Sequence, residues 1–196
     1  MLHSTASTPP AGRRLTAVVV ITLALIVQVS MANRLPLPGS VAPDLVLLTV
    51  VALALVNGPL LGLVTGFCAG LTADIVPPAD HTIGRYALVY CLVGYICGLF
   101  TDEMDRSPVT PFIGVAAGAL AGTLLYVGVG MMLDDPRAGL PVASRLVPLM
   151  VLYDVLASPF VVWAVLRLTR RLEGERGHDR YDPATARFRA MARERM

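Results

Sequence analysis

The sequence predicts an all-α, polytopic membrane protein that folds as a bundle of six transmembrane helices. Hydrophobic residues occupy 55% of the 196 positions, charged residues only 15%, and the mean hydropathy is +0.67. Soluble domains carry roughly 25% charged residues, so this chain is too apolar to be one of them. The apolar residues also fall into six runs, separated by short stretches rich in Pro, Gly and charge.

These runs predict six membrane spans. The spans cover residues 15–32, 44–56, 59–74, 86–100, 110–133 and 146–168. Residues 15–172 therefore form the predicted helical domain, which lies between a disordered N-terminus, 1–14, and a basic tail, 173–196. A secretory signal peptide is the rival interpretation of the first run, because Ser30-Met31-Ala32 resembles a cleavage pattern.

Asn57, Gly58 and Pro59 separate the second span from the third. A single helix over residues 44–74 would be about 46 Å long, well beyond a hydrocarbon core of about 30 Å. Pro is also favoured in the first turn of a helix. We therefore predict a tight helical hairpin that turns at these three residues.

Glycine recurs every fourth residue at the start of the third span, at Gly58, Gly62, Gly66 and Gly70, and Asp74 ends the series. Small residues at this spacing allow two helix backbones to approach closely in lipid. We expect Gly62, Gly66 and Gly70 to make such a contact.

The fifth span repeats this spacing of small residues at Gly114, Gly118 and Gly122. Because both rows would present a flat surface to a neighbouring helix, we expect the two glycine rows to pack against each other.

Basic residues are concentrated near the two termini. Nine of the sixteen, all Arg, lie from Arg167 onward, and Arg13 and Arg14 precede the first span. Six spans place both termini on one side, and the excess of Arg assigns that side to the cytoplasm of a plasma-membrane protein. Residues 182–195 are compatible with a short basic helix on anionic membrane lipid or on a cytoplasmic partner, and equally with a solvated tail.

Ionisable residues near the membrane are the default place to look for function. The sequence offers Asp44, Asp74, Arg85, Tyr86 and Asp154, all of which approach the bilayer from the outer side in this topology. We interpret them as a polar pocket or a partner contact, with Arg85 neutralising Asp74 or Asp44. The structural alternative is that Asp44 caps a helix, Asp74 lies at the interface and Asp154 is packed internally.

The sequence gives no sign of catalytic, metal-binding or cofactor chemistry. His81 and Asp80 lack a second His or Cys ligand nearby. There is no Gly-rich phosphate loop after a strand, and no serine has a local partner that would activate its hydroxyl. We expect a protein that is not an enzyme, that needs no metal or cofactor, and that does not bind nucleic acid.

The chain resembles the bacterial rod shape-determining protein MreD family over residues 15–172. Three stretches carry the resemblance, and residues 86–95 are similar to the family's fourth span. The three stretches are Ala-Pro-Asp-Leu at 42–45, Asn-Gly-Pro-Leu-Leu-Gly at 57–62 with the glycine row up to Asp74, and the last span with Tyr153, Pro159 and residues 167–172.

The resemblance implies a non-enzymatic membrane component of the cell-wall elongation complex, which maintains rod shape by scaffolding peptidoglycan synthesis. The implied partners are an MreC-type bitopic protein, the actin-like MreB, a penicillin-binding transpeptidase and a SEDS-type glycosyltransferase. Asp154 departs from the family pattern, in which an uncharged residue such as Asn is expected. The family's fold is also similar to the membrane substrate-binding subunits of energy-coupling-factor transporters.

A substrate-binding subunit of a vitamin or small-solute transporter is therefore the alternative function. A transporter subunit should enclose a pocket with converging polar groups. A scaffold should fill that space and show an apolar groove on its lipid-facing side. A membrane hydrolase would require at least two ionisable groups that meet deep in the bundle, which Asp154 alone does not supply.

Overall fold

The computed structural model describes residues 11–31, 41–76, 84–101, 109–133 and 140–179, and these residues form six α-helices. The helices are α1 (Ala11–Ser30), α2 (Leu45–Asn57), α3 (Pro59–Ile75), α4 (Arg85–Gly98), α5 (Thr110–Met132) and α6 (Leu140–Asp179). The predicted all-helical class is confirmed.

Of the six described helices, three are long and apolar enough to cross a membrane. They are the segments Gly12–Ser30, Thr110–Met132 and Ser144–Arg171 of α1, α5 and α6. The other three are apolar but shorter, with 13, 17 and 14 residues. At about 1.5 Å per residue, α2 is only about 20 Å long.

Helix α2 is the central helix of the bundle. It contacts each of the other five helices, and residues 46–55, ten of its thirteen, are buried. A helix that is hydrophobic on every side is stable only when it is surrounded. Burial begins at Val46, within the first turn of α2, so the backbone amides at the start of this helix need partners from the protein.

The turn between α2 and α3 has the position that the sequence predicts. Helix α2 ends at Asn57, α3 begins at Pro59, and Gly58 between them has φ of +93°. This left-handed conformation is strained for any residue with a Cβ, which explains why glycine is found here. The side-chain amide of Asn57 donates a hydrogen bond of 2.9 Å to the carbonyl of Leu53.

The glycine row of α3 packs directly on the backbone of α4. A Cβ on Gly62, Gly66 or Gly70 would overlap a carbonyl of α4, and the carbonyls concerned are those of Gly94, Tyr90 and Tyr86, respectively. Because these three positions carry no side chain, the backbones of α3 and α4 come into direct contact, as small residues allow in membrane helices.

The expected pairing of the two glycine rows is wrong. Gly118 and Gly122 of α5 face α2, where added Cβ atoms would lie 2.8 Å from Val51 and 2.5 Å from Leu47. Gly114 is half-buried. The physical reason is that α2 occupies the centre, so the α5 row accommodates its branched side chains while the α3 row is taken up by α4.

The structure also shifts two predicted boundaries. Helix α1 begins at Ala11, inside the predicted disordered segment, and α6 continues to Asp179, beyond the predicted start of the tail at 173. The Arg, Leu and Glu residues that follow the last span are good helix formers, so the helix outlasts its apolar part. Helix α1 also buries Ala17, Val20 and Ile21 in the core, as a structural member of the bundle.

Several predictions fall on residues outside the described ranges. These are the disorder of residues 1–10, the loop with Asp80 and His81, and the short basic helix over 182–195.

Candidate functional site

Three side chains cap the backbone amides at the start of α2. One comes from the residue before α2, one from α1 and one from α6. Asp44 accepts a hydrogen bond of 2.9 Å from the backbone amide of Leu47 through Oδ1. Oδ1 of Asp154, from α6, accepts one of 2.7 Å from the amide of Asp44, and Oε1 of Gln28, from α1, accepts one of 2.8 Å from the amide of Leu45. The first amides of a helix have no partner within it, and here each acceptor supplies one.

Three tyrosines continue this polar cluster towards α4 and α5. The hydroxyl of Tyr90 donates a hydrogen bond to Oδ2 of Asp44. The ring of Tyr86 meets that of Tyr90 edge-on at 5.4 Å and stacks on that of Tyr126 at 4.5 Å between centroids. Both are favourable aromatic geometries, so the rings form a continuous wall beside Asp44.

A cavity of about 370 Å³ lies between these groups. It is at the end of the bundle where α1 and α3 end and α2, α4 and α6 begin. Among the described residues, the only charged ones that line it are Asp44 and Asp154. The polar uncharged side chains of the lining are Gln28, Thr123, Tyr86, Tyr90 and Tyr126.

Asp74 caps α4 from the last turn of α3. Its carboxylate accepts hydrogen bonds from the backbone amides of Gly84 at 2.9 Å and of Tyr86 and Ala87 at 3.1 Å each. Gly84, the residue that precedes α4, has φ of +97° and no side chain to form a cap. Asp74 is fully buried, so it lies inside the protein and its observed role is to replace that missing cap.

Arg85 is buried against α5. Its Nε and Nη2 donate hydrogen bonds of 3.0 and 2.7 Å to the carbonyl of Tyr126, and its guanidinium carbon lies 3.7 Å from the centre of the Tyr126 ring. These contacts join α4 to α5. The charge neutralisation of Asp74 or Asp44 by Arg85 stays a prediction.

The structure therefore divides the predicted polar residues between two places. Asp44, Tyr86 and Asp154 line the cavity, whereas Asp74 and Arg85 are not among its lining residues. Asp154 also has an acidic neighbour, since its Oδ1 accepts the backbone amide of Asp44, a neighbour that was not expected when the sequence disfavoured a hydrolase.

Gln28, Tyr90 and Tyr126 belong to the cluster and were not among the predicted site residues. Gln28 is the single Gln of the chain and lies in an otherwise apolar run. A side-chain amide inside a predicted membrane span needs a hydrogen-bond partner from the protein. This is the sequence signal that could have identified Gln28 as a site residue.

An apolar groove of about 670 Å³ runs along the outside of the bundle between α1 and α3. Helix α1 contributes Val18, Ile21 and Ile26 to it, and Arg14 is the one charged residue in the described lining. The α3 side consists of Leu60, Leu61, Val64, Thr65, Cys68, Ala69 and Thr72.

Within the described residues, no group of three or more His, Cys, Asp or Glu side chains is placed to hold a metal ion. Comparisons of the chain with protein-family models, with curated proteins and with solved structures find no match.

Proposed function

We propose that this chain is a non-enzymatic scaffold of the bacterial cell-wall elongation machinery, with six membrane spans and both termini in the cytoplasm. The resemblance of residues 15–172 to the MreD family motivates the proposal. The observation that carries it is the apolar groove between α1 and α3.

The groove suits a single membrane span of a partner protein. Four of the seven residues of its α3 wall are small, namely Thr65, Cys68, Ala69 and Thr72. Small residues allow a second helix to approach closely, which is the main source of helix association in lipid. The proposed occupant is therefore the single span of an MreC-type bitopic protein.

The short helices are compatible with six crossings. The unpaired amides at the start of α2 and α4 are satisfied by Gln28, Asp44, Asp74 and Asp154. Non-helical backbone at membrane depth is tolerated where it is buried in protein. A helix of about 20 Å can thus serve as a span when its ends are capped in this way.

The test is to block the groove without disturbing the core. Val64 lines the groove and is exposed, so Val64→Trp fills it from the outside. Leu124→Trp on α5 is the matched control, because Leu124 is equally exposed and lies outside the groove. Each variant is co-expressed with the MreC-type protein, in cells that lack the wild-type copy.

We expect Val64→Trp to lower the recovered partner at least about tenfold, equivalent to about 1.4 kcal/mol of binding free energy, and to produce rounded cells. Leu124→Trp should retain both the partner and the rod shape. Normal recovery and normal shape with Val64→Trp would reject the groove as the docking site.

The cavity favours a second candidate function, the binding subunit of a small-solute transporter. A volume of about 370 Å³ with convergent polar groups falls in the range of ligand pockets. Loss of uptake of one solute on depletion, with unchanged cell shape, would favour this function over scaffolding.

The two aspartates that meet at the cavity do not make a hydrolase the better proposal. Both oxygens of Asp44 are engaged, Oδ1 by the amide of Leu47 and Oδ2 by the hydroxyl of Tyr90. Oδ1 of Asp154 accepts the amide of Asp44, so helix capping and the bond to Tyr90 account for the contact between the two acids without a catalytic role.

A further inference from the structure

We propose that the cavity at the end of the bundle binds a small organic cation, whose ammonium group lies between the carboxylates of Asp44 and Asp154 and the tyrosine rings. This site is independent of partner docking in the α1–α3 groove and adds a ligand-binding activity to the scaffold.

The first argument is charge. Asp154 is only 2% exposed, and its Oδ1 accepts the amide of Asp44. Its Oδ2 accepts no hydrogen bond from the described residues. Asp154 is also one of the residues that line the cavity. A buried carboxylate is unfavourable without a compensating partner, so this oxygen is free to contact a positively charged ligand.

The protein places no positive side chain in the described lining to serve as that partner. Arg85, the nearest buried cation in sequence to the tyrosines, bonds the carbonyl of Tyr126 and lies over its ring, and it is not a lining residue. With Asp44 and Asp154 as the charged lining groups, the cavity selects for a ligand of positive charge.

The second argument is the aromatic wall. Tyr86, Tyr90 and Tyr126 all line the cavity. The ring of Tyr126 already stacks on Tyr86 and lies beneath the guanidinium of Arg85, so Tyr86 and Tyr90 are the rings that face a ligand. Aromatic faces attract cations, and groups of such rings are the usual receptor for quaternary and other alkylated ammonium groups. A strongly hydrated inorganic ion would gain little from such rings.

The third argument is size. A site for one water or a bare ion needs about 10–15 Å³, whereas this cavity has about 370 Å³. Ca²⁺ takes about 6–8 oxygen ligands, which is more than two carboxylates supply. The volume is near the lower end of the range for organic ligands, which limits the ligand to a compact molecule.

The experiment uses the purified full-length protein in detergent and choline chloride as the probe, with sodium chloride at equal ionic strength as the reference. 3,3-Dimethylbutan-1-ol has the same shape as choline without the charge and is the matched ligand control. We expect choline to bind with a Kd below about 1 mM and the neutral isostere to bind at least about tenfold more weakly, measured by calorimetry.

Asp154→Asn is the informative variant. Its side-chain oxygen still accepts the amide of Asp44, so the cap is preserved while the charge is removed. Choline affinity should fall at least about tenfold, because a buried charge pair loses one member. Leu156→Ala, a change at an exposed residue that lines neither the cavity nor the groove, should leave choline affinity unchanged.

Equal affinities for choline and its neutral isostere would overturn the cation site. So would the absence of a calorimetric binding signal with both choline and a second organic cation, n-butylammonium. The isostere comparison uses the unmodified protein, so it still tests the cation site if Asp154→Asn does not fold. Either result leaves the partner-recovery experiment with Val64→Trp unaffected, so the two proposals fail separately.

A free solute and a lipid headgroup can both supply an ammonium group. Nanodiscs of phosphatidylglycerol with and without phosphatidylethanolamine distinguish these sources. Weaker apparent choline binding in the presence of phosphatidylethanolamine assigns the site to a headgroup, and unchanged binding assigns it to a free solute.

Discussion

Oδ1 of Asp154 accepts a hydrogen bond of 2.7 Å from the backbone amide of Asp44, a residue 110 positions earlier in the chain. This bond joins the last helix to the start of the central one. Asp44 in turn caps the same helix through its own carboxylate. Two acids of the helical bundle are therefore in contact because both serve the N-terminus of α2, where the positive end of the helix dipole favours negative charge.

This capping role predicts different effects for two substitutions of Asp154. Asp154→Asn keeps an acceptor for the amide of Asp44, whereas Asp154→Ala leaves that amide without its acceptor. A buried donor without a partner costs about 1–3 kcal/mol. We expect thermal unfolding in detergent to occur at a lower temperature for Asp154→Ala than for Asp154→Asn. Equal unfolding temperatures would show that this bond contributes nothing to stability.

The contact between α3 and α4 predicts that Gly66 tolerates no side chain. A Cβ there would overlap the carbonyl of Tyr90, and neither backbone can shift without separating the helices. Gly66→Leu should lower the yield of folded protein sharply, since overpacking costs at least about 1–3 kcal/mol. Gly128→Leu is the control, because a Cβ at Gly128 meets nothing within 4 Å. If both variants accumulate normally, the close packing of this row is not required for folding.

Local features of the fold were predictable from the sequence because they depend on a few neighbouring residues. Gly58 and Pro59 determine the turn after α2 by their backbone preferences. The four-residue spacing of glycine likewise indicates that a backbone comes close to Gly62, Gly66 and Gly70.

The identity of the neighbouring helix was not predictable in the same way. A glycine row shows that a helix approaches without showing which one, and α4 took the place expected for α5. Helix α2 is apolar on all sides, so its sequence pattern does not show which face is buried. Its central position follows only from the packing of the other five helices around it. Gln28 and Tyr90 joined the site through contacts with residues 17 and 46 positions away.

The three hydrogen bonds of Asp74 predict that it stabilises the protein as a cap for α4. Asp74→Ala removes all three acceptors and should strongly reduce the folded fraction, because each buried amide left unpaired costs about 1–3 kcal/mol. The charge-swapped pair Asp74→Arg with Arg85→Asp should be no more stable than either single variant, since Arg at position 74 presents donors to the three amides. Recovery of stability in the double variant, measured by unfolding in detergent, would instead establish an ion pair.

The proposed topology predicts opposite exposure for the ends of α4 and α5. Tyr86 in the first turns of α4 stacks on Tyr126 near the end of α5, so Leu133 lies at that end of the bundle and Phe100 at the other. Both side chains are about half exposed, which makes them a matched pair for cysteine labelling after the three native cysteines are changed to Ser. With both termini in the cytoplasm, a membrane-impermeant maleimide should label Leu133→Cys in cells with a permeabilised outer envelope, and should label Phe100→Cys only after the inner membrane is opened. The reverse pattern would invert the orientation, and would place the carboxylates of the cavity on the cytoplasmic side.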